Sequence, residues 1–465
     1  MNKYLRLWPV VLTAVFLFVP SITFADTIQD VVDHVLNTNP DIRATAYNRL
    51  ARDEEIRKAE SGYYPSLDIS AGVGIDKLQH PFKRTLHPRS SVLSLNQNLF
   101  HFGTTTNEVR RQKSRVQSQA YLLQANSEVM SLQTARVFLD VLRAEELHEL
   151  AQENLVNHQK IYDQMKLRSE RGVERRADVD QVVGRLALAQ SNVVSTQANL
   201  EDAKTNYIAV TSLYPRNLEK PDPVDFGFPV EMKDAVRMAV ENYPLLKSAK
   251  ADLSARHYQF KAAKSDAYPS LDLTADHRWE YDADEREGYA REYSAALVLS
   301  INLFRGWYDK ARIAETAHQI REAEEIYKST HRQTAQSIKL SWEAYRAAKE
   351  RVAHLENYVE SGRLTAEAFS KQWMVGRRTM FDVLDSQAEY INARKELVNA
   401  SYDKLLSEYR MLSGMGKLVH TLGLEWPEES NPEVKPESKF IETMIPPRVE
   451  IDNFLVEGWP PHLSR

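Results

Sequence analysis

The sequence predicts a mainly α-helical protein with a small β part, built as two copies of one unit. Tyr64–Asp68 recurs as Tyr268–Asp272, 204 residues further on, and Asn98–Phe100 recurs as Asn302–Phe304 at the same offset. Each copy also holds a long proline-free stretch with apolar residues at seven-residue spacing, and a pair of segments in which polar and apolar residues alternate. A constant offset over most of each copy indicates a tandem duplication.

Composition excludes several classes of protein. The chain has 465 residues, a formal net charge of -5 and no cysteine. Without cysteine there are no disulfides, no thiolate metal sites, no cysteine catalysis and no lipid attached through a thiol. The chain is mildly acidic and has no basic stripe, which argues against a nucleic-acid partner. Since no zinc-protease, nucleophile-elbow or phosphate-loop motif is present, we predict no enzyme, no catalytic residues, no cofactor and no metal site.

Residues 1–25 are predicted to be an export signal. Lys3 and Arg6 form a positive start, Val10–Val19 is an apolar run, and Ala25 ends a segment of the kind that signal peptidases cleave. An uncleaved anchor is the alternative, but the run is too short to cross a bilayer comfortably. No other stretch approaches a spanning helix, so any membrane crossing must be made by strands.

The duplication sets the expected domain boundaries. We assign residues 26–213 to a first structural repeat and residues 230–417 to a second. A linker at 214–229 joins them, and a proline-rich C-terminal tail follows at 418–465. Because the prolines crowd together after Leu424, we expect the tail to be extended or disordered from there on.

Long helices are predicted at about 103–213 and 306–413, where apolar residues recur every seven positions. This period is typical of coiled coils. Gly172 and Gly376 stand where one long helix must turn into the next, so each repeat should form an antiparallel helical hairpin. Helices alone would fit an envelope coiled-coil scaffold or adhesin equally well. The stripes are Val109, Val116, Leu123, Met130, Val137 and Ala144; Val179, Leu186, Val193, Leu200 and Tyr207; and Leu384, Ile391, Val398, Leu405 and Leu412.

A β-hairpin is predicted in each repeat, at about 64–100 and 268–304. One face of these segments is apolar and the other carries serine, asparagine, threonine and aspartate. Segments of about ten residues have the length of transmembrane β-strands, whose two faces meet lipid and a polar lumen. A half-buried hairpin resting on the helices is the alternative. The residues expected to face lipid are Leu93, Leu95, Leu99, Leu297, Leu299 and Leu303.

Strand number then predicts an oligomer. Four strands cannot close a barrel, and open strand edges are not tolerated in lipid. Several chains must therefore combine their strands: two chains would give eight strands and a filled interior, whereas three would give twelve and room for a lumen.

Together, the export signal, the duplication, the strand pairs and the coiled helices resemble the TolC-like outer-membrane channels of type I secretion and multidrug efflux. The resemblance extends to about residue 424, and its most specific motifs are Arg171–Val179 and Val375–Asp385. It implies a homotrimer with a twelve-stranded β-barrel in the outer membrane, in contact with lipid and continued by an α-helical tunnel across the periplasm. It further implies a periplasmic adaptor protein and an inner-membrane transporter that open the tunnel tip.

The resemblance also implies roles for residues of these motifs. Asp382 and Asp385 share a helix face and, in a trimer, would form carboxylate rings at the pore constriction that bind cations and have raised, coupled pKa values. Arg378 resembles the family arginine that ties the two hairpins together at the tip, with Asp178 as its expected partner. Trp373 stands where a tyrosine often helps to lock the tip.

We therefore expect a passive exit duct of a tripartite type I secretion system, driven by an inner-membrane ABC transporter. The tip motifs look more like the secretion branch than the efflux branch. An outer-membrane component of a multidrug efflux pump, served by an RND or MFS transporter, is the first alternative. An envelope scaffold or adhesin is the alternative of another class.

Overall fold

The computed structural model describes residues 26–79, 83–172, 175–222, 227–282 and 288–433. The export signal expected at 1–25 and the tail beyond residue 433 lie outside the described residues.

The helices come in matched pairs, one from each repeat, and their starts are separated by the same offset as the sequence motifs. The first repeat contains α1 (Ile28–Thr38), α2 (Pro40–Glu60), α3 (Thr104–Glu170) and α4 (Arg176–Thr211). The second contains α5 (Met232–Asn242), α6 (Pro244–Ser265), α7 (Tyr308–Met374) and α8 (Met380–Gly414), followed by the short α9 (Leu418–Thr421). Helices α3 and α7 have 67 residues each, which is about 100 Å at 1.5 Å per residue.

Local sequence signals explain where the shorter helices begin. The Asn39 side chain accepts hydrogen bonds from the first backbone N–H groups of α2, and Pro40 occupies the first helical position, where no N–H is needed. Tyr243 and Pro244 repeat this arrangement at the start of α6, although tyrosine supplies no side-chain cap.

The long helices pack as the seven-residue spacing predicts. Helix α3 lies against α4 and α6, and α7 lies against α8. All five members of the α8 stripe, from Leu384 to Leu412, are buried. The coiled-coil prediction is confirmed, because an apolar stripe on a helix this long gains stability only when a neighbouring helix covers it.

The main hydrophobic core lies around the middle of the long helices. There α1, α5 and α9 pack onto α3, α4, α7 and α8, around buried side chains such as Phe138, Tyr207 and Met411. The inter-repeat linker joins this layer, since Trp342 of α7 donates a hydrogen bond to the carbonyl of Pro229 at 3.2 Å. The core therefore fixes the two repeats side by side at mid-length and leaves both ends of the helices to other contacts.

Four strands, two from each repeat, form one antiparallel sheet. Strands β1 (Ser66–Val73), β4 (Arg89–Phe100), β5 (Ser270–Tyr281) and β6 (Tyr289–Ser300) are antiparallel neighbours in the order β1-β4-β5-β6. A two-stranded ribbon, β2 (Asp76–Leu78) and β3 (Arg84–Leu86), extends the first hairpin at its loop end. The hairpins of the two repeats are thus joined through β4 and β5.

The C-terminal segment returns to the core and is held by a buried carboxylate. Glu128 of α3 is fully buried, and its carboxylate accepts hydrogen bonds from the backbone N–H groups of Leu418 (3.0 Å) and Val419 (3.4 Å) and from the indole N–H of Trp426 (3.1 Å). Burial raises the pKa of Glu128 to about 7, although these hydrogen bonds oppose the shift. One acidic group on α3 therefore anchors the start of the region assigned to the tail.

The described part of the tail differs from the extended chain expected from Leu424 onward. Glu428–Ser430 forms one 3₁₀ turn, with Pro427 at its N-cap position. A single turn of this kind needs only one i to i+3 hydrogen bond, so neighbouring prolines do not prevent it. Gln124 donates to the carbonyl of Ser430 at 3.1 Å, which ties the turn to α3.

Glu128 makes the free energy of unfolding depend on pH. Its pKa is about 7 in the folded chain and 4.5 in a model peptide, so the folded state holds the proton more tightly between these values. Stability should fall by about 3 kcal/mol as the pH rises from about 4.5 to about 7, and should stay level above that.

Urea unfolding of Glu128→Gln, followed by circular dichroism from pH 4.5 to 8, checks this. The variant cannot titrate at this position, so the difference between its unfolding free energy and that of the parent should change with pH in that window. A constant difference across the window would contradict the assignment.

Candidate functional site

One face of the four-stranded sheet is polar and joined by cross-strand hydrogen bonds. In register, Asp68 lies opposite Ser94, and Ser94 lies opposite Asp276. The Ser94 hydroxyl donates to Asp276 at 2.6 Å, and the Asn98 amide donates to Asp272 at 2.7 Å. Asp272 and Asp276 thus each have a donor on the neighbouring strand, and the polar side chains of this face suit contact with water.

The opposite face is apolar and largely uncovered. Leu67 lies opposite Leu95, and Leu273 lies opposite Leu297. Leu297 and Leu299 of β6 are 66% and 70% exposed, and Leu99 of β4 is 49% exposed, whereas Leu93 and Leu95 are half-buried between neighbouring strands. Leu303, which was expected on this face, is 89% exposed but lies beyond the end of β6, outside the strands. A continuous exposed apolar surface of this kind marks contact with a membrane or another protein.

Aromatic side chains flank this apolar face at both ends. Tyr281, Tyr289 and Tyr293 are exposed at the loop end. At the helix end, Phe102 stacks on Tyr268 with ring centroids 5.0 Å apart. Strands β5 and β6 have 12 residues each, which is about 40 Å at 3.3 Å per residue and enough to cross a bilayer when tilted. Aromatic belts at both boundaries are typical of membrane-spanning strands.

The outer strands of the sheet leave two edges open. Within the described residues, β1 is hydrogen-bonded only to β4, and β6 only to β5. One backbone edge of each strand therefore has no partner among the residues that the structure describes. The first edge comes from repeat one and the second from repeat two, so one copy of the chain offers two edges that are different from each other.

The far ends of the long helices meet in a small apolar cluster. Gly172 and Gly376 lie in the connections α3–α4 and α7–α8, each with φ of +75°, a conformation that glycine adopts without steric cost. The two glycines thus share the same φ value as well as equivalent places in the repeats. The apolar cluster near these turns has six buried members, and the partly buried Phe369 and Trp373 pack against it. The members are Ile161, Met165, Val182, Met380, Val383 and Leu384.

Asp382 and Asp385 have different surroundings at this tip. Asp382 accepts hydrogen bonds from the hydroxyl (2.8 Å) and backbone N–H (3.1 Å) of Thr379, closing a capping box at the start of α8. These bonds lower the pKa of Asp382. The raised, coupled pKa values expected from the sequence concern carboxylate rings in a trimer, so they stay a prediction. Asp385 is 70% exposed and forms an ion pair with Arg185 of α4 at 3.0 Å.

Arg378 and Asp178 are not brought together in the described chain. The Arg378 guanidinium lies 4.1 Å from the ring centroid of Phe369, donates to Gln372 at 3.2 Å and approaches Asp382 at 3.7 Å. All three partners belong to its own hairpin, where little chain has to be ordered to make the contacts. Asp178 lies in the first turn of α4, on the other hairpin.

Two other contacts join the hairpins at the tip. The first is the Arg185–Asp385 pair between α4 and α8. In the second, the Arg168 guanidinium of α3 lies 4.9 Å from the ring centroid of Trp373. Sequence reasoning missed both arginines. Arg185 follows Asp178 by seven positions, so the two residues lie on the same face of α4, and that spacing was the available signal for Arg185.

Comparison with known proteins identifies the family. The profile described as "Outer membrane efflux protein" matches residues 31–211 and 235–417, one segment in each repeat. The chain belongs to this family. It is an outer-membrane, TolC-like channel protein with a periplasmic helical extension, and its family consists of channels rather than enzymes. No helix in the described ranges is both long and apolar enough to cross a membrane.

Three curated relatives match most of the chain. Outer membrane protein TolC of Escherichia coli is 24% identical, covering 95% of this chain and 92% of its own length. Outer membrane efflux protein BepC of Brucella suis is 23% identical, covering 86% and 88%. Proteases secretion protein PrtF of Dickeya chrysanthemi is 21% identical, covering 80% and 84%. Among solved structures, the Campylobacter jejuni CmeC outer membrane channel superposes with a TM-score of 0.76 at 16% identity, covering 87% and 89%.

The ion pair between the hairpins should hold the tip closed. Exposed ion pairs typically contribute under about 1 kcal/mol, so Arg185→Ala and Asp385→Ala should each raise the resting conductance of the channel only a few-fold. The double variant should leak no more than the leakier single variant, because both substitutions remove one shared contact.

Closed-state current in planar bilayers measures this effect. Arg363→Ala is the matched control, since Arg363 is an exposed arginine whose ion pairs, with Glu360 and Glu367, lie within α7. Equal leakage from the control would show that the Arg185–Asp385 contact does not restrain the tip.

Proposed function

We propose that this chain is the exit duct of a tripartite type I secretion system and works as a homotrimer. The observation that carries the proposal is the two-faced sheet with two different open edges. β6 of one chain would pair with β1 of the next around a three-fold axis. Three chains would supply twelve strands and close the barrel, with the leucines outward and the aspartates inward.

The long helices supply the rest of the duct in this proposal. At about 100 Å they would continue the barrel as a tunnel through the periplasm. An inner-membrane ABC transporter and a periplasmic adaptor would engage the tips and open them, and the energy would come from the transporter. The duct itself carries out no chemistry, so its selectivity would depend on its width and on the charge of its lining.

The secretion role rests on two supports. The tip motifs resemble the secretion branch, and a relative over most of the chain is a proteases secretion protein by name. The competing role, the outer-membrane component of a multidrug efflux pump with an RND or MFS transporter, is favoured by the relative named as an efflux protein. The two roles share one duct and differ in the transporter that docks.

A strain that lacks this protein distinguishes the secretion role from the efflux role. In a strain that lacks it, a secretion duct predicts that a type I protein substrate accumulates in the cell while drug sensitivity stays unchanged. An efflux component predicts sensitisation to several unrelated drugs with normal protein export. Crosslinking from the tip residues, followed by mass spectrometry, identifies the docked transporter.

Barrel orientation is tested with spin labels. Labels at Leu95 and Leu299 should be accessible to oxygen in the bilayer, and labels at Asn96 and Thr274, on the polar face, should be accessible to a water-soluble relaxer. A soluble monomer, or the reverse accessibility, would contradict the barrel and favour an envelope scaffold, which also gives no single-channel current.

Cation block tests the proposed constriction. Asp385→Asn should weaken block by a trivalent cation, because the ring that Asp385 would form in the trimer loses its three carboxylates. Asp382→Asn should weaken block and also destabilise the start of α8, since it breaks the capping box. Glu367→Gln, which neutralises an exposed carboxylate on α7, is the control. Unchanged block in Asp385→Asn would place that residue away from the constriction.

A further inference from the structure

Charge is sharply divided between the two faces of the four-stranded sheet. On the apolar face, the only charged residues within the strands are Arg89 and Arg291. Every carboxylate of the four strands lies on the polar face, which carries Asp68, Asp272, Asp276, Arg278, Glu280 and Glu292. The charged side chains on the apolar face of the sheet are therefore all cationic.

Both arginines lie at the loop end, in adjacent rows of the register. Arg89 of β4 lies opposite Tyr281, which lies opposite Tyr289. In the next row, Arg291 of β6 lies opposite Trp279. Two strand spacings are about 10 Å, so two long arginine side chains can converge over the aromatic residues of β5.

Arg89 borders a hollow on this face, and Arg291 lies in the adjacent row. A cavity of about 350 Å³ is lined by Val73, Arg89, Trp279, Tyr281 and Tyr289, together with Glu280 from the neighbouring polar row. The Arg291 Nε donates to the Tyr289 hydroxyl, and the guanidinium lies 5.0 Å from the centroid of that ring. Within the described residues, neither arginine forms an ion pair with a carboxylate. Among those residues, no carboxylate therefore occupies the terminal N–H groups that an acceptor from outside the chain would bind.

We propose that this hollow binds the phosphate groups of a phosphorylated glycolipid of the outer leaflet, lipopolysaccharide. The inference rests on the proposed function, because it needs the apolar face to meet lipid. The loop end is opposite the periplasmic helices, so it reaches the outer leaflet. Guanidinium groups bind phosphate oxygens in a two-pronged manner, and aromatic side chains are favoured at the headgroup level.

The surface below the arginines favours a lipid over a soluble anion. The row beneath them carries Ile69 and Leu93, and Ile69 is 75% exposed. A glycolipid can place its phosphates on the arginines and its acyl chains along this apolar band at the same time. A soluble anion has no acyl chains that could cover this apolar band.

The test measures binding of fluorescent, doubly phosphorylated lipid A to the purified full-length protein in detergent. The Arg89→Ala/Arg291→Ala variant should bind at least about tenfold more weakly, since each lost charge-assisted contact is worth about that factor. Arg278→Ala is the matched control: it removes an arginine from β5 at the same level on the polar face, and should bind within about twofold of the parent. Dephosphorylated lipid A should bind the parent as weakly as intact lipid A binds the double variant.

Four results would overturn the inference: undiminished binding of lipid A by the double variant, equal loss of binding in Arg278→Ala, equal affinity for dephosphorylated lipid A, or equal binding of phosphatidylglycerol. The last would show general attraction of interfacial arginines to anionic lipid. Single-channel current of the same samples keeps the two proposals apart. If the double variant conducts normally and still binds lipid A, only this inference is contradicted. If the parent protein never conducts, the proposed function as an exit duct is contradicted.

Discussion

The edge strands β1 and β6 carry backbone N–H and C=O groups that no residue of the described chain pairs. In water such groups are hydrated, but in hydrocarbon each unpaired group costs several kcal/mol. The exposed leucines of the same sheet favour the opposite environment, because they gain by leaving water. Both demands are met together only if the edges pair between chains while the leucines stay outside. In the proposed trimer, assembly and membrane insertion would therefore be two consequences of one unsatisfied sheet.

The helical part of each repeat must be stabilised in a different way from the sheet. A helix of about 100 Å cannot be covered by a globular core, so its stability comes from stripes that pack along the whole length. Within the described residues, the broad core lies at mid-length, where the short helices pack and where Glu128 holds the C-terminal segment. The tips are joined by a small cluster, by the Arg185–Asp385 ion pair and by the half-buried Arg168–Trp373 contact. In the proposed duct, such limited contacts suit an end of the molecule that would part when a partner engages it.

Much of the fold could be predicted because its signals are periodic and occur twice. The offset between the repeats, the seven-residue stripes and the alternating strands each predict geometry over many residues, and errors at single positions average out. The partners of the tip residues could not be predicted in this way. The family resemblance led us to expect Asp178 as the partner of Arg378, whereas the contacts of Arg378 within the described chain are Phe369, Gln372 and Asp382, all on its own hairpin. Which of several nearby acids an exposed arginine meets depends on ångström-scale side-chain placement, which periodicity does not encode.

The sequence by itself determined the duplicated architecture, the two hairpin turns at Gly172 and Gly376 and the amphipathic character of the strands, since all of these follow from local spacing and conformational preference. Tertiary structure alone decided that the two β-hairpins join through β4 and β5, that Glu128 anchors the returning C-terminal segment, and that Asp382 caps a helix while Asp385 pairs with Arg185. These contacts join residues far apart in the chain or select one partner among several. Their formation depends on how close the folded chain brings the groups, and no local pattern records that distance.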